Sequence, residues 1–350
     1  MNFSVGIIGL PNVGKSTLFK ALTQQEVNIS NYPFCTIKPN VGIVQVPDER
    51  LNKIAEIVKP QKVTPTIIEF VDIAGLVKGA HKGEGLGNQF LSHIREVDAI
   101  LHVVRSFKAA DIKHVENTLD VERDIGIVNT ELIMKDLETI DKHLEKLSKE
   151  ARNATNKEAQ KELAIILKIK NALSEGKLVA QINLEHQEIE IIRHLNLLTI
   201  KPVIYVINSR ETEKELGLIK TLPPNTLPLD LKLELELSEL SPEELKEIKI
   251  IPRLEILIKT CYKILNLITF YTIKGGEETR AWTAKQGTTA PKAGGIVHTD
   301  FEQKFIKVEL INYKDLLGAG SWQNARAKGL IKIEGKDYIV QDGDILEFKI

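Results

Sequence analysis

Gly9-Leu10-Pro11-Asn12-Val13-Gly14-Lys15-Ser16 fits the pattern G-x-x-x-x-G-K-[ST]. The pattern carries meaning only between a strand and a helix, and here the apolar run Val5 to Ile8 precedes it and the helical run Thr17 to Leu22 follows. Glycines at both ends let backbone N–H groups close around phosphates, and the helix N-terminus adds a favourable dipole. Asn12, Val13, Gly14, Lys15, Ser16 and Thr17 are therefore the expected nucleotide contacts. Lys15 brings a point charge to the β and γ phosphates, a catalytic role, and the Ser16 hydroxyl is a ligand for magnesium.

A second element converges on the same metal. Asp72-Ile73-Ala74-Gly75 follows the apolar run Ile67 to Val71 and matches D-x-x-G. Its Asp72 is expected to hold Mg2+ through water, and its Gly75 to sense the γ phosphate and serve as the pivot of a switch. Thr36, in the polar stretch after the first helix, is the candidate for a switch hydroxyl on the metal. Asn208-Ser209-Arg210-Glu211 ends the apolar run Pro202 to Ile207, where a guanine-reading site carries Asn-Lys-x-Asp. Ser209 removes the lysine stem that packs on the base, and Glu211 displaces the carboxylate by one methylene. The guanine pairing is weakened on both counts. A further base-contacting turn, near Pro228 to Lys232, lacks the usual Ser-Ala-Lys sequence.

The runs Val5 to Ile8, Ile67 to Val71, Ile100 to Val104 and Pro202 to Ile207 are short, apolar and β-branched, so they read as buried parallel strands with crossover helices. The fold class is α/β, with chemistry at the carboxyl ends of the strands. From Val128 the period changes: Ile133, Leu137, Ile140, Leu144 and Leu147 alternate spacings of four and three, a heptad seam. Arg152 to Asn156 interrupts it, and Ala159, Leu163, Ile166 and Leu173 resume it, which predicts an antiparallel helical hairpin inserted into the α/β domain. Phe270 to Ile273, Phe305 to Leu310, Leu330 to Ile333, Asp337 to Val340 and Ile345 to Phe348 alternate with Gly, Lys and Asp turns and predict a closing β-rich domain. The expected division is 1–127 with 186–266 for the nucleotide domain, 128–185 for the hairpin and 267–350 for the last domain.

Composition bounds the rest. At 350 residues and 43% hydrophobic, the chain is long enough for two or three domains. A net charge of -1 argues against a globally basic nucleic-acid binder, and no DNA partner is expected. Between Lys285 and Lys336, nine Lys or Arg against five Asp or Glu permit regional RNA contact without demanding it. Cys35 and Cys261 are too few for a disulfide framework and read as reduced thiols. No leader-like or membrane-spanning run is found, so no membrane partner is expected and the expected location is the cytoplasm.

Taken together, the phosphate loop, Asn31 to Asn40, Asp72-Ile73-Ala74-Gly75-Leu76, Gly83-Glu84-Gly85-Leu86-Gly87-Asn88 and Asn208-x-x-Glu211 resemble the YchF-type Obg-like ATPases nearly end to end. The segments Ala293 to Glu302 and Glu334 to Asp344 look like that family's TGS domain. The resemblance implies a P-loop NTPase domain with a helical coiled-coil insertion and a C-terminal β-grasp-like TGS domain, a preference for ATP over GTP, and association with ribosomes. Leu76 stands where a catalytic glutamine follows D-x-x-G, as in the hydrophobic-substituted group to which the family belongs. An apolar side chain cannot orient a water, so slow intrinsic turnover is expected and another group must act. His81 and His114, on loops after strands that end at the nucleotide, can accept or donate near neutral pH, and His114 is the favoured candidate. Asn12 is similar to the residue that helps potassium-activated relatives hold K+. The rivals are a GTPase of the same architecture and a nucleotide-binding scaffold with negligible turnover.

Overall fold

The computed structural model of the chain describes residues 3–24, 40–73, 86–107, 118–152, 156–210, 222–248, 250 and 252–350. Two six-stranded sheets organise it. The first has the order β2-β4-β1-β5-β6-β7. Its strands are β1 (Ser4–Ile8), β2 (Val41–Gln45), β4 (Ile67–Asp72), β5 (Ala99–Arg105), β6 (Val203–Asn208) and β7 (Thr226–Leu229). All neighbours run parallel except β2, which pairs antiparallel with β4. Helices on both faces bury the central strands, and β5 is buried at every residue. That explains why these strands read as continuous apolar runs rather than alternating ones. The helix α1 (Lys15–Thr23) packs on the sheet through Leu18, Ala21 and Leu22.

The expected hairpin is present. After the helices α2 (Glu49–Val58) and α3 (Leu86–Glu96), α4 (Val121–Glu150) and α5 (Lys157–Ser174) share an apolar core built from the seam residues. Ile133, Ile140, Leu147, Ala159, Ile166 and Leu173 are buried, and Leu137, Leu144 and Leu163 pack against them. Asp120 caps α4 by accepting from Arg123 N, and Asn156 caps α5 by accepting from Ala159 N. The core also takes in Ile192 at the end of α6 (His186–Ile192), with Leu195 and Leu197 beyond it. A third layer, sequence-adjacent to the nucleotide domain, therefore rests on the hairpin. Asp136 anchors it from α4, accepting from Leu198 N and Thr199 N at 2.8 Å each.

The second sheet has the order β11-β10-β12-β8-β9-β3. Five of its strands are C-terminal: β8 (Leu267–Lys274), β9 (Glu278–Lys285), β10 (Lys307–Asn312), β11 (Lys332–Glu334) and β12 (Asp344–Lys349). Its sixth, β3 (Lys62–Thr64), comes from the N-terminal part of the chain and pairs parallel with β9. Helix α2 goes with it, burying Leu51 and Ile54 against Tyr271, Ala281 and Ile311. Asp337 to Val340, expected as a strand, forms a turn with one isolated bridge from Ile339 to Thr289. There Tyr338 instead donates to Asp344 Oδ2 at 2.7 Å, and that carboxylate also accepts from Gln341 N, so side chain and backbone are held by a cap rather than a ladder. Cys261 is a buried thiol, pushed up to about 12 by burial. No helix among the described residues is long and apolar enough to cross a membrane.

Candidate functional site

The loop between β1 and α1 stands at the carboxyl end of the first sheet, and its backbone needs its glycines. Gly9 has φ 151°, and a Cβ there would meet the Val103 carbonyl oxygen at 2.4 Å. Gly14 has φ 107°, and its Cβ would lie 2.5 Å from Asn208 Nδ2. Both are left-handed positions closed to other residues by backbone strain and by contact. Asn12, between them, also takes positive φ at 60°, which asparagine tolerates better than most side chains.

Gly14 caps α1 without a side-chain acceptor, so no side-chain cap occupies the first-turn N–H groups, the kind of donors that bind an anion at a helix N-terminus. The Lys15 ammonium lies back over the loop, donating to Leu10 O at 2.9 Å and to Gly9 O at 3.2 Å. Burial pulls the Lys15 pKa down, and the Asp72 carboxylate opposes the shift. Asp72 ends β4 beside Ile7 of β1. Burial raises its pKa and the charge of Lys15 lowers it. Ser16 is exposed at the mouth of the loop and Thr17 is half-buried. Lys15, Ser16 and Asp72 thus occupy neighbouring ends of the loop and of β4. Beneath the loop, His102 of β5 is fully buried against the Tyr205 ring, with centroids 5.5 Å apart.

From β6, Asn208 reaches the loop. Its Nδ2 donates to Val13 O at 2.9 Å, and its Oδ1 accepts from Leu231 N at 3.3 Å. One side chain thereby joins the phosphate loop to the turn after β7. That turn, near Pro228 to Lys232, is the one whose base contact the sequence left unplaced. It leads into α7 (Leu231–Ser238), capped by Asp230 accepting from Lys232 N and Leu233 N. A cavity of about 590 Å³ runs from the loop to this turn, lined by Asn12 and Gly14 to Thr17 on one side and by Phe107, Arg210, Leu231 and Lys232 on the other. Phe107 stands just past the end of β5, with the Arg105 guanidinium 4.5 Å from its ring centroid.

The fold therefore brings together Asn12, Val13, Gly14, Lys15, Ser16, Thr17, Asp72 and Asn208. Thr36, Gly75, Leu76, His81, His114 and Glu211 lie outside the described residues. Phe107 escaped the sequence reading as a site residue, while Leu231 and Lys232 lie in the Pro228 to Lys232 turn, which that reading singled out without placing a contact. The signal for Phe107 was a lone aromatic just beyond a buried strand.

Comparison with known proteins agrees with this architecture. The family model described as "50S ribosome-binding GTPase" matches residues 4–134, and one described as "Protein of unknown function (DUF933)", of the YchF-GTPase C-terminal region, matches 267–350. The "Ribosome-binding ATPase YchF" of Bacillus subtilis is 46% identical, with 100% of this chain and 99% of the relative covered. The protein of the same name from Escherichia coli O157:H7 is 44% identical, covering 99% of each. The solved structure of the Schizosaccharomyces pombe YchF GTPase superposes with a TM-score of 0.88 at 41% identity, covering 99% of this chain and 98% of that one. With a phosphate loop, a helical insertion and a C-terminal sheet in the same order along its whole length, the chain belongs to the YchF family.

Proposed function

We propose that the chain is an ATPase that binds ribosomes and couples its nucleotide state to the switch segments that carry Thr36 and Gly75. The observation that carries the choice of base is the use of Asp230. Among the described residues lining the cavity it is the sole carboxylate, and it is committed to capping α7. Asn208 is likewise engaged at both ends of its amide. The cap bonds both fall on Asp230 Oδ1, so the carboxylate does not have both oxygens open to accept from guanine N1–H and its exocyclic amine together, and Phe107 and Leu231 add apolar lining on which adenine can lie. Glu211, one methylene longer than the aspartate of a guanine reader, works in the same direction.

The donor set fits a triphosphate with Mg2+: uncapped N–H groups at α1, the Lys15 ammonium, the Ser16 hydroxyl and the Asp72 carboxylate at the neighbouring strand end. Ser16, Thr36 and Asp72 would hold the ion, which would offset the charge of the phosphates. Lys15 leaves its loop carbonyls to meet the β and γ phosphates. Leu76 supplies no hydrogen bond to water, so turnover is slow and His114 is the proposed positioning group. Asn12 supports a K+ requirement. A cytoplasmic location and the identity of 267–350 as a TGS domain belong to the same reading, with that domain and the hairpin forming the ribosome-facing surface.

The experiment is a titration of ATP and GTP against the full chain, followed by turnover with and without ribosomes in K+ and in Na+. Preferred binding of ATP and stimulation by ribosomes are expected. A strong preference for GTP would overturn the reading of the base site, and turnover indifferent to ribosomes would favour the scaffold.

A further inference from the structure

Three side chains from three separate elements meet on the flank of the helical insertion, away from the phosphate loop. His143 comes from α4, Glu162 from α5, and His194 from the short turn of 3-10 helix Arg193–Leu195 that follows α6. One donor atom of each lies within 4.8 Å of the other two. His143 Nε2 is 2.8 Å from Glu162 Oε1, and His194 Nε2 is 3.4 Å from the same oxygen. The two imidazole centroids are 5.1 Å apart, and the rings are inclined at 58°, so they converge without stacking.

The protonation of His194 is set by its other nitrogen. Nδ1 sits 3.0 Å from the Ile191 carbonyl oxygen, which can only accept, so Nδ1 carries the hydrogen. In the neutral ring, Nε2 then presents a lone pair toward a carboxylate oxygen. Two acceptors facing each other are joined by a proton or by a metal cation. A backbone carbonyl that fixes the tautomer and turns the free nitrogen toward a carboxylate is the arrangement that supports a metal-bound imidazole.

We propose that His143, Glu162 and His194 form a binding site for a divalent transition-metal cation of the zinc class. Two imidazoles and one carboxylate are a donor set that such ions accept, leaving a fourth position for water. Bonds of about 2.0–2.2 Å in tetrahedral geometry place neighbouring donors roughly 3.3 Å apart. The His194 to Glu162 distance already matches, and the His143 to Glu162 contact opens by about half an ångström as the ion replaces the hydrogen between them. In a neutral His143 that hydrogen moves to Nδ1, so no net proton need be lost. His194 is half exposed and leaves the fourth position open to solvent, while His143 and Glu162 are held by the hairpin. Filled, the site ties the turn after α6 to both arms of the hairpin, at the layer whose other end Asp136 pins through Leu198 and Thr199.

The test uses the full chain, stripped with a chelator and free of nucleotide. Zn2+ is titrated by calorimetry, and Co2+ by its visible absorption, whose intensity distinguishes four-coordinate from six-coordinate ion. One equivalent of Zn2+, a four-coordinate Co2+ spectrum and a Tm that climbs with free zinc are expected. His194→Ala, at an exposed turn, should keep the circular dichroism spectrum and weaken that equivalent at least tenfold. Glu162→Gln should do the same and abolish the four-coordinate spectrum. ATP affinity should be unchanged in both. Absence of a stoichiometric equivalent, or equal zinc affinity in wild type and a folded His194→Ala, would overturn the proposal. In that case the three groups are a proton-shared cluster and nothing more.

Discussion

Asn208 Nδ2 donates to the Val13 carbonyl at 2.9 Å, joining the end of β6 to the phosphate loop across 195 residues of chain. The same amide accepts from Leu231 N, so loop, strand and base-side turn share one side chain. Asn208→Ala leaves a buried carbonyl and an N–H without their partner. A loss of stability of about 1–3 kcal/mol follows. Chemical denaturation should record it, together with weaker binding of both ATP and GTP, because the loop loses its support rather than a base contact.

Lys15→Ala separates binding from folding. Burial holds the ammonium pKa below the ordinary lysine value, so its charge costs the empty protein something that the β and γ phosphates offset. The Tm without nucleotide should shift little, because relief of that buried charge opposes the loss of the bonds to Leu10 O and Gly9 O. Triphosphate affinity should fall at least tenfold, in line with about 1.5–3 kcal/mol for a hydrogen bond to a charged group. A variant that bound ATP as well as wild type would dismiss Lys15 from the site.

His102 makes stability depend on acid. Burial drives its pKa from 6.5 down to about 3, and the charge of Lys15 adds to the shift. Between those values the unfolded chain takes up a proton that the folded chain does not, so stability is full above 6.5 and is lost as pH falls. His102→Phe keeps a ring against Tyr205 and removes a buried Nδ1 that has no partner. Denaturation midpoints measured between roughly pH 7 and 5, above most carboxylate titration, should slope less in the variant. Identical slopes would show that His102 does not titrate on unfolding.

Arg50 holds helix α2 to the C-terminal sheet. Its guanidinium donates to Asp48 at 2.8 and 3.0 Å and to Asp342 at 2.6 Å, beside the Tyr271 ring. Burial alone would lower its pKa, but those hydrogen bonds raise it above the ordinary arginine value. Arg50→Met should cost about 1–3 kcal/mol, less than a fully buried pair because the side chain is a quarter exposed. Hydrogen exchange should quicken in β3 and β9 before it does in β5. Uniform quickening would mean that α2 is not the joint.

The elements legible in the sequence were those whose signal is local. The phosphate loop, the strands before and after it and the heptad seam each depend on spacing within a few turns of chain, and all are found where the spacing put them. Asp337 to Val340 failed because alternating apolar residues also suit a turn when a side chain such as Tyr338 finds a buried acceptor. Phe107 could not be assigned to the cavity because a single aromatic carries no period, and the Pro228 to Lys232 turn was singled out without a placed contact because it lacks the Ser-Ala-Lys sequence.

By itself, then, the sequence determined that a phosphate-binding loop sits between a buried strand and a helix, that a two-helix insert interrupts the sheet and that a β-rich segment closes the chain. Backbone reach, glycine freedom and side-chain period enforce these within short stretches. Only the tertiary structure decided that β3 and α2 leave their neighbours to complete the C-terminal sheet, that Asn208 serves Val13, that Asp230 is committed to a helix cap, and that His143, Glu162 and His194 converge. Each of these pairs residues far apart along the chain, and their meeting depends on how whole layers pack, a quantity that no local window of sequence contains.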